Sequence, residues 1–212
     1  MNEKKNLTIE ETFALAVQNH RKNNLQVAKK LYKKILNINP NDPQSNFLLG
    51  TLSAQTKQFD IAKKLLNRSI EINPNYADAH YNLGVVLQEL GEIKKAKSCI
   101  EKAIEINPNH VDSHNNLGVV FQELGEIQKA KSCFEKVIKI NPNYVGSYWN
   151  LHSFASDIDE ALTILKKSYE IDNKYIRAKI MISALQGFKG NFNEFDALLA
   201  SSESSHPDMR SI

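Results

Sequence analysis

The chain is poor in the residues that carry most chemistry. It has two cysteines, one tryptophan and six prolines in 212 residues, and no apolar run long enough to cross a bilayer, which takes about 18 consecutive apolar residues. So few cysteines exclude a disulfide-stapled scaffold. No nucleophile motif, glycine-rich phosphate loop or metal-ligand spacing is present, so no catalytic residue, metal site or cofactor is assigned. A surface of one charge sign is also missing: the net charge is +3, and lysines alternate with glutamates along the same stretches, as in KKAKSCIEKAIE. A nucleic-acid partner is therefore not favoured. The N-terminus is charged and then amphipathic, without the continuous apolar core of a signal peptide. A cytoplasmic location without membrane insertion is the expectation.

What the chain has in abundance is itself. Residues 79–106 recur as residues 113–140 with 21 of 28 positions identical. Such a period identifies a stacked-repeat architecture, in which length counts repeats and not domains. Pro40, Pro74, Pro108 and Pro142 each follow an asparagine and stand thirty-four residues apart. Proline cannot continue a helix and pushes the residue before it out of the α region, so each Asn-Pro is a stop signal. Units of 9–42, 43–76, 77–110 and 111–144 follow, each holding two helices of about 14 residues. Thr8 and Glu11 match a capping box, which starts the first helix at Ile9; residues 1–8 are expected to form a flexible N-terminus. The second helix spans Leu25 to Ile38. The wide use of asparagine, lysine and isoleucine reads as compositional bias.

Small residues recur in register: Ala28, Ala62, Ala96 and Ala130 in the second helix of each unit, facing Ala16, Gly50, Gly84 and Gly118 in the first. Glycine inside a helix costs about 1 kcal/mol against alanine, so its repetition points to close helix approach. Leu15, Leu49, Leu83 and Leu117, with Tyr32, Leu66, Ile100 and Phe134, are expected to fill the space around that contact. Cys99 and Cys133 occupy one place in successive units; at the roughly 10 Å spacing of packed helices they are too far apart for a disulfide and are expected to be buried thiols.

The set His80, Leu83, Gly84, Leu87, Ala96, Ile100, Ala103, Pro108, repeated as His114, Leu117, Gly118, Phe121, Ala130, Phe134, Val137, Pro142, resembles the tetratricopeptide repeat family. The resemblance implies an all-α fold, a right-handed α-solenoid of antiparallel helix pairs with five to six repeats and a degenerate C-terminal cap. After Pro142 the pattern departs. A fifth unit, 145–175, is three residues short; its first helix is expected to end near Ser156, with Asp157 and Glu160 as N-cap and N3 of the next. His152 falls where other units have glycine or alanine and is expected to widen that helix pair. A sixth unit, 176–200, ends in a helix near Phe192 to Ala200 with Phe195 in the small-residue position, and the tail 201–212 is expected to be disordered.

His80 and His114 are expected to be packing residues and not ligands. Asn82, Asn116 and Asn150 each precede the leucine of their unit. In this they resemble the asparagine ladder of O-linked N-acetylglucosamine transferase-type arrays, in which the amides bind the backbone of an extended peptide. A side-chain amide offers a donor and an acceptor, as a peptide group does. The implied concave groove is completed by Tyr81, Val85, Gln88, Glu89, Asn115, Val119, Gln122, Glu123 and, on the same surface, Trp149. The function expected is a non-catalytic protein-interaction or scaffold module with a protein or peptide partner. The alternative is the N-terminal targeting region of a larger bacterial glycosyl-, sulfo- or methyltransferase. Ile180, Phe188, Phe192 and Phe195 need cover, so self-association through the C-terminal end is a further expectation.

Overall fold

The computed structural model describes residues 7–190, and every regular element among them is helical. The order is α1 Ile9–Arg21, α2 Leu25–Ile38, α3 Pro43–Gln55, α4 Phe59–Ile72, α5 Ala77–Glu89, α6 Ile93–Ile106, α7 Val111–Glu123, α8 Ile127–Ile140, α9 Val145–Leu151, a 3-10 turn His152–Phe154, α10 Ile158–Ile171 and α11 Ile176–Phe188. Helices of this length are marginal alone, so their stability comes from neighbours. Consecutive helices such as α1 with α2, α3 with α4 and α5 with α6 pack closely, and their short links make them antiparallel. The chain divides into two compact units, Met1–Val120 and Phe121–Ile212, with the boundary inside α7.

The start and stop signals act as the sequence predicts. Thr8 Oγ1 accepts from Glu11 N–H at 3.1 Å while Glu11 Oε2 accepts from Thr8 N–H at 2.9 Å, a complete capping box. Asp42 caps α3 by accepting from Ser45 N–H at 2.7 Å. Helices α2, α4, α6 and α8 end at Ile38, Ile72, Ile106 and Ile140, each one residue before its Asn-Pro. Reading asparagine as bias is corrected here. Asn39, Asn73, Asn107 and Asn141 each accept, through Oδ1, from the backbone N–H two residues on, at 3.0 to 3.3 Å. These are Asx turns, a local alternative to helix that asparagine and aspartate form readily. Asp172 does the same for Lys174 N–H at 2.9 Å, which ends α10 without a proline.

The proline carbonyl is then captured from the following helix. Asn46 Nδ2 donates to Pro40 O at 3.0 Å, His80 Nε2 to Pro74 O at 2.9 Å, His114 Nε2 to Pro108 O at 2.9 Å, and Tyr148 Oη to Pro142 O at 2.9 Å. A carbonyl only accepts, so both histidines carry their proton on Nε2. This is the packing role expected of His80 and His114, with a polar component the spacing did not show.

In the first unit the core is built where small residues let helices meet. Ala16, Ala28, Tyr32, Ile35, Leu49 and Leu52 form one buried cluster; Ala62, Leu66, Leu83, Val86, Leu87 and Ala96 form a second. A methyl group on Gly84 would lie 2.5 Å from Ile100 Cγ1 and 3.2 Å from the Ala96 carbonyl, and one on Gly50 would lie 3.0 Å from Leu66 Cγ. The close approach expected at these glycines is therefore real. Leu15 is the exception to the packing pattern. Leu49, Leu83 and Leu117 are 4%, 5% and 7% exposed but Leu15, on the first of the described helices, is 36% exposed.

In the second unit Leu162, Leu165, Ala178 and Ile182 form the buried cluster. The first helix of the fifth repeat is shorter than expected: α9 stops at Leu151, and the 3-10 turn carries the chain to Phe154, not Ser156. His152 stacks on Trp149 with ring centroids 4.7 Å apart and bonds the Trp149 carbonyl through Nδ1. His152 thus stands where the chain changes from α-helix to 3-10 turn. Asp157 caps α10 by accepting from Glu160 N–H at 2.8 Å, but the Glu160 carboxylate returns to Ser156 N–H at 2.7 Å, one residue earlier than a standard box. Ile180 and Phe188 on α11 are 61% and 83% exposed. Phe192, Phe195, the helix expected near 192–200 and the tail 201–212 lie outside the described residues, as do residues 1–6.

Candidate functional site

Successive repeats place α3 and α5, the first helices of the second and third repeats, side by side. Between them lies a groove of about 370 Å³. Its apolar wall comprises Ala54, Phe59, Val85 and Val86, and its polar lining comprises Thr51, Gln55, Lys57, Asn82 and Glu89. Helical spacing explains the set: Thr51 and Gln55 are one turn apart on α3, as are Asn82, Val86 and Val85, Glu89 on α5, so each series lies on one face. Lys57 and Phe59 come from the turn into α4. Lys57 has φ 56°, in the left-handed region. Gly91, Gly125 and Gly190 occupy the matching turns at φ 74° to 78°. A lysine there costs about 1 kcal/mol that glycine avoids.

Asn82 is held by a directional relay. Thr51 Oγ1 donates to Phe47 O at 3.0 Å and accepts from Asn82 Nδ2 at 2.9 Å. With its one proton committed to the carbonyl, the threonine can only accept from the amide, which fixes the Asn82 amide against flipping. Oδ1 and the second N–H of Asn82 are left to meet something else. At the far end, Gln55 Oε1 faces His20 Nε2 at 3.0 Å, which holds that side chain to the preceding repeat.

Of the residues predicted for the concave face, Asn82, Val85 and Glu89 meet in this groove. Tyr81 does not line it. Its ring lies 5.2 Å from that of His110, and burial, with a smaller contribution from Asp112, pushes its phenol up to about 12. Gln88 is half-buried outside the groove wall. Asn115, Asn116 and Val119 are half-buried on α7 within the first unit. The position that holds Thr51 for Asn82 is Val85 in register with Asn116, so the hydroxyl relay is not repeated there. Gln122, Glu123, Trp149 and Asn150 belong to the second unit. Trp149, half-buried, packs against the cluster around Leu165, edge-on to Tyr175 at 6.0 Å. Asn150 accepts at its carbonyl from Ser153 Oγ at 2.8 Å.

Thr51, Gln55, Lys57 and Phe59 were missed from sequence. Thr51 carried a signal, as a hydroxyl where Val17, Val85 and Val119 stand in other units. So did Lys57, as a lysine where later turns have glycine.

One further constellation has the composition of a hydrolytic triad. His110 Nε2 meets Asp78 Oδ1 at 2.9 Å, and His110 Nδ1 meets Ser113 Oγ at 2.9 Å. Nδ1 also accepts from Ser113 N–H at 3.1 Å, which makes the imidazole the N-cap of α7. Ser113 is fully buried, and a serine without access to a carbonyl carbon cannot act as a nucleophile. The arrangement closes a helix end. Cys99, half-buried beside the second cluster, has its thiol pushed up by burial, which lowers the thiolate fraction that reactivity needs. Among the described residues no group of three or more His, Cys, Asp or Glu could hold a metal ion, and no helix is long and apolar enough to cross a membrane.

The tetratricopeptide repeat model matches residues 77–110 and 111–144, and a second TPR repeat model matches residues 54–91. Together these matches span residues 54–144 of the chain. Among solved structures similar to it is MamA, 26% identical, with 76% of this chain and 96% of that chain covered and a TM-score of 0.66. YrrB, described as a TPR protein with an unusual peptide-binding site, is 21% identical, with 81% and 90% covered and a TM-score of 0.63. PilF of Pseudomonas aeruginosa is 16% identical, with 94% and 92% covered and a TM-score of 0.81. The last two show the fold alone. Comparison with curated proteins gives no match.

Proposed function

We propose that this tetratricopeptide array is a non-catalytic protein-interaction module that holds an extended peptide segment in the groove between α3 and α5. The observation that carries the reading is the Asn82 amide. It is anchored through one N–H to Thr51 and retains a carbonyl oxygen and a second N–H at the groove surface. Those two groups match the N–H and C=O of a peptide unit, so the side chain grips a backbone without reading its sequence. The placement of Asn82 before the leucine of its repeat resembles the asparagine ladder of O-linked N-acetylglucosamine transferase-type arrays, and the description of YrrB supports peptide binding as a use of this architecture. Asn116 and Asn150 are the further rungs of the same reading.

A random peptide library displayed on phage and selected against the full chain supplies the probes. Synthetic copies of the recovered peptides are expected to bind Asn82→Ala about tenfold more weakly, the loss of one to two hydrogen bonds at about 1 kcal/mol each. Unchanged affinity, or recovery of no peptide, would overturn the proposal. Asn116→Ala and Asn150→Ala, measured singly, show whether the ladder extends beyond one rung.

A further inference from the structure

The groove has chemical features that a backbone grip alone does not use. Besides the amide, Ala54, Phe59, Val85 and Val86 supply its apolar lining. Its lining also includes an exposed lysine and an exposed glutamate from different elements, Lys57 from the α3–α4 turn and Glu89 from the last turn of α5. Among the described residues, neither side chain forms a hydrogen bond or ion pair. Charges in ion pairs elsewhere in this unit do find partners, as Lys63 and Lys95 do with Glu92. Lys57 also holds a left-handed backbone position that glycine fills in three later turns, so the charge in this lining is kept against a local conformational cost.

We infer that the occupant of this groove is an extended peptide segment bearing one apolar side chain, seated on the Ala54, Phe59, Val85 and Val86 wall, flanked by an acidic residue that meets Lys57 and a basic residue that meets Glu89. The inference rests on the peptide-binding reading above and adds a sequence preference to it. The apolar wall supplies affinity by removing an aliphatic or aromatic side chain from water. The two charges supply orientation. A segment with acid and base on either side of the anchor is attracted in one direction, while the reversed segment places like charges together. Thr51 is a positioning residue in this scheme, since it sets which edge of the Asn82 amide faces the bound backbone.

The test uses the same phage-displayed random library on the full chain and on the double variant Lys57→Glu/Glu89→Lys. Peptides recovered on the wild-type chain are expected to share an apolar residue with acidic and basic neighbours. Replacing that apolar residue by serine is expected to weaken binding about tenfold, and each single charge substitution about threefold. The double variant is expected to recover peptides with the charge order reversed around the same anchor. Thr51→Val is expected to weaken binding and to narrow the difference between a peptide and its backbone N-methylated copy, a readout that a loss of stability would not produce. Peptides that depend on Asn82 but show no apolar anchor, or whose charge order is unmoved by the double variant, would overturn this inference and leave peptide binding standing. Recovery of no Asn82-dependent peptide would overturn both.

Discussion

Substituting Gly84 by alanine separates packing from helix propensity with one methyl group. Alanine at a helix interior is better than glycine by about 1 kcal/mol, so on propensity alone the variant gains stability. The structure reverses that sign. The new Cβ would lie 2.5 Å from Ile100 Cγ1, a distance at which something must move, and 3.2 Å from the backbone carbonyl of Ala96. Overpacking of this kind costs about 1–3 kcal/mol, which leaves a net loss of about 1 kcal/mol. Gly50→Ala is the internal control: its Cβ would meet Leu66 Cγ at 3.0 Å, Leu66 Cδ2 at 3.2 Å and Leu65 Cβ at 3.3 Å, looser contacts than the 2.5 Å clash at Gly84, so its overpacking cost is expected to be smaller and its net effect within about 1 kcal/mol of zero. In an Ile100→Ala background the principal clash is absent, and Gly84→Ala should then stabilise by up to about 1 kcal/mol. Urea unfolding followed by circular dichroism gives the global change. Hydrogen exchange of the α5 amides gives the local one, which matters because stacked repeats open piecemeal. A stabilised Gly84→Ala in the wild-type background, or the same sign with and without Ile100, would refute close helix approach as the reason for this glycine.

Two further outcomes follow from the geometry. Burial pushes the phenols of Tyr32 and Tyr81 up to about 12 from an ordinary 10.0. The folded chain therefore keeps protons that the unfolded chain loses, so stability present below pH 10 falls as pH rises from about 10 to about 12. Tyr81→Phe should flatten that alkaline slope in pH-dependent urea midpoints; an unchanged slope would contradict the buried placement of Tyr81. At the start of α7, His110→Ala should cost about 1 kcal/mol by leaving Ser113 N–H without its cap, whereas His110→Asn keeps an acceptor there and should cost much less. Equal losses, read by hydrogen exchange in the first turn of α7, would remove the capping role.

The repeat, its thirty-four-residue register and its helix ends were legible because they rest on local chemistry: proline at position 40 and its copies, the Thr8 box, the Asp157 cap. So was the glycine at 84, since a costly residue repeated in register needs a reason. Less visible was whatever depends on neighbours. Leu15 has the same identity and register as Leu49 and Leu83, yet it is exposed, since no described helix stacks on its side of α1 as α2 and α4 do for the later repeats. Tyr81 and Trp149 were placed on an open face by position alone, and their rings turn to His110 and Tyr175. Of the groove, the α5 side was legible through Asn82, Val85 and Glu89. The α3 side was not, because Thr51, Gln55 and Lys57 occupy places where the duplicated copies have other residues, and a pattern read from the copies discards what differs between them.

The capture of each proline carbonyl by the next helix bears on how such a chain tolerates change. An asparagine, two histidines and a tyrosine perform that one task at positions 46, 80, 114 and 148. Identity at this site is interchangeable, while reach and the presence of an N–H or O–H are not. Mutational drift can therefore pass through chemically unlike side chains without loosening the junction between repeats. A column of aligned repeats that looks random at this position still records a strict constraint, on hydrogen-bond polarity and length in place of residue type.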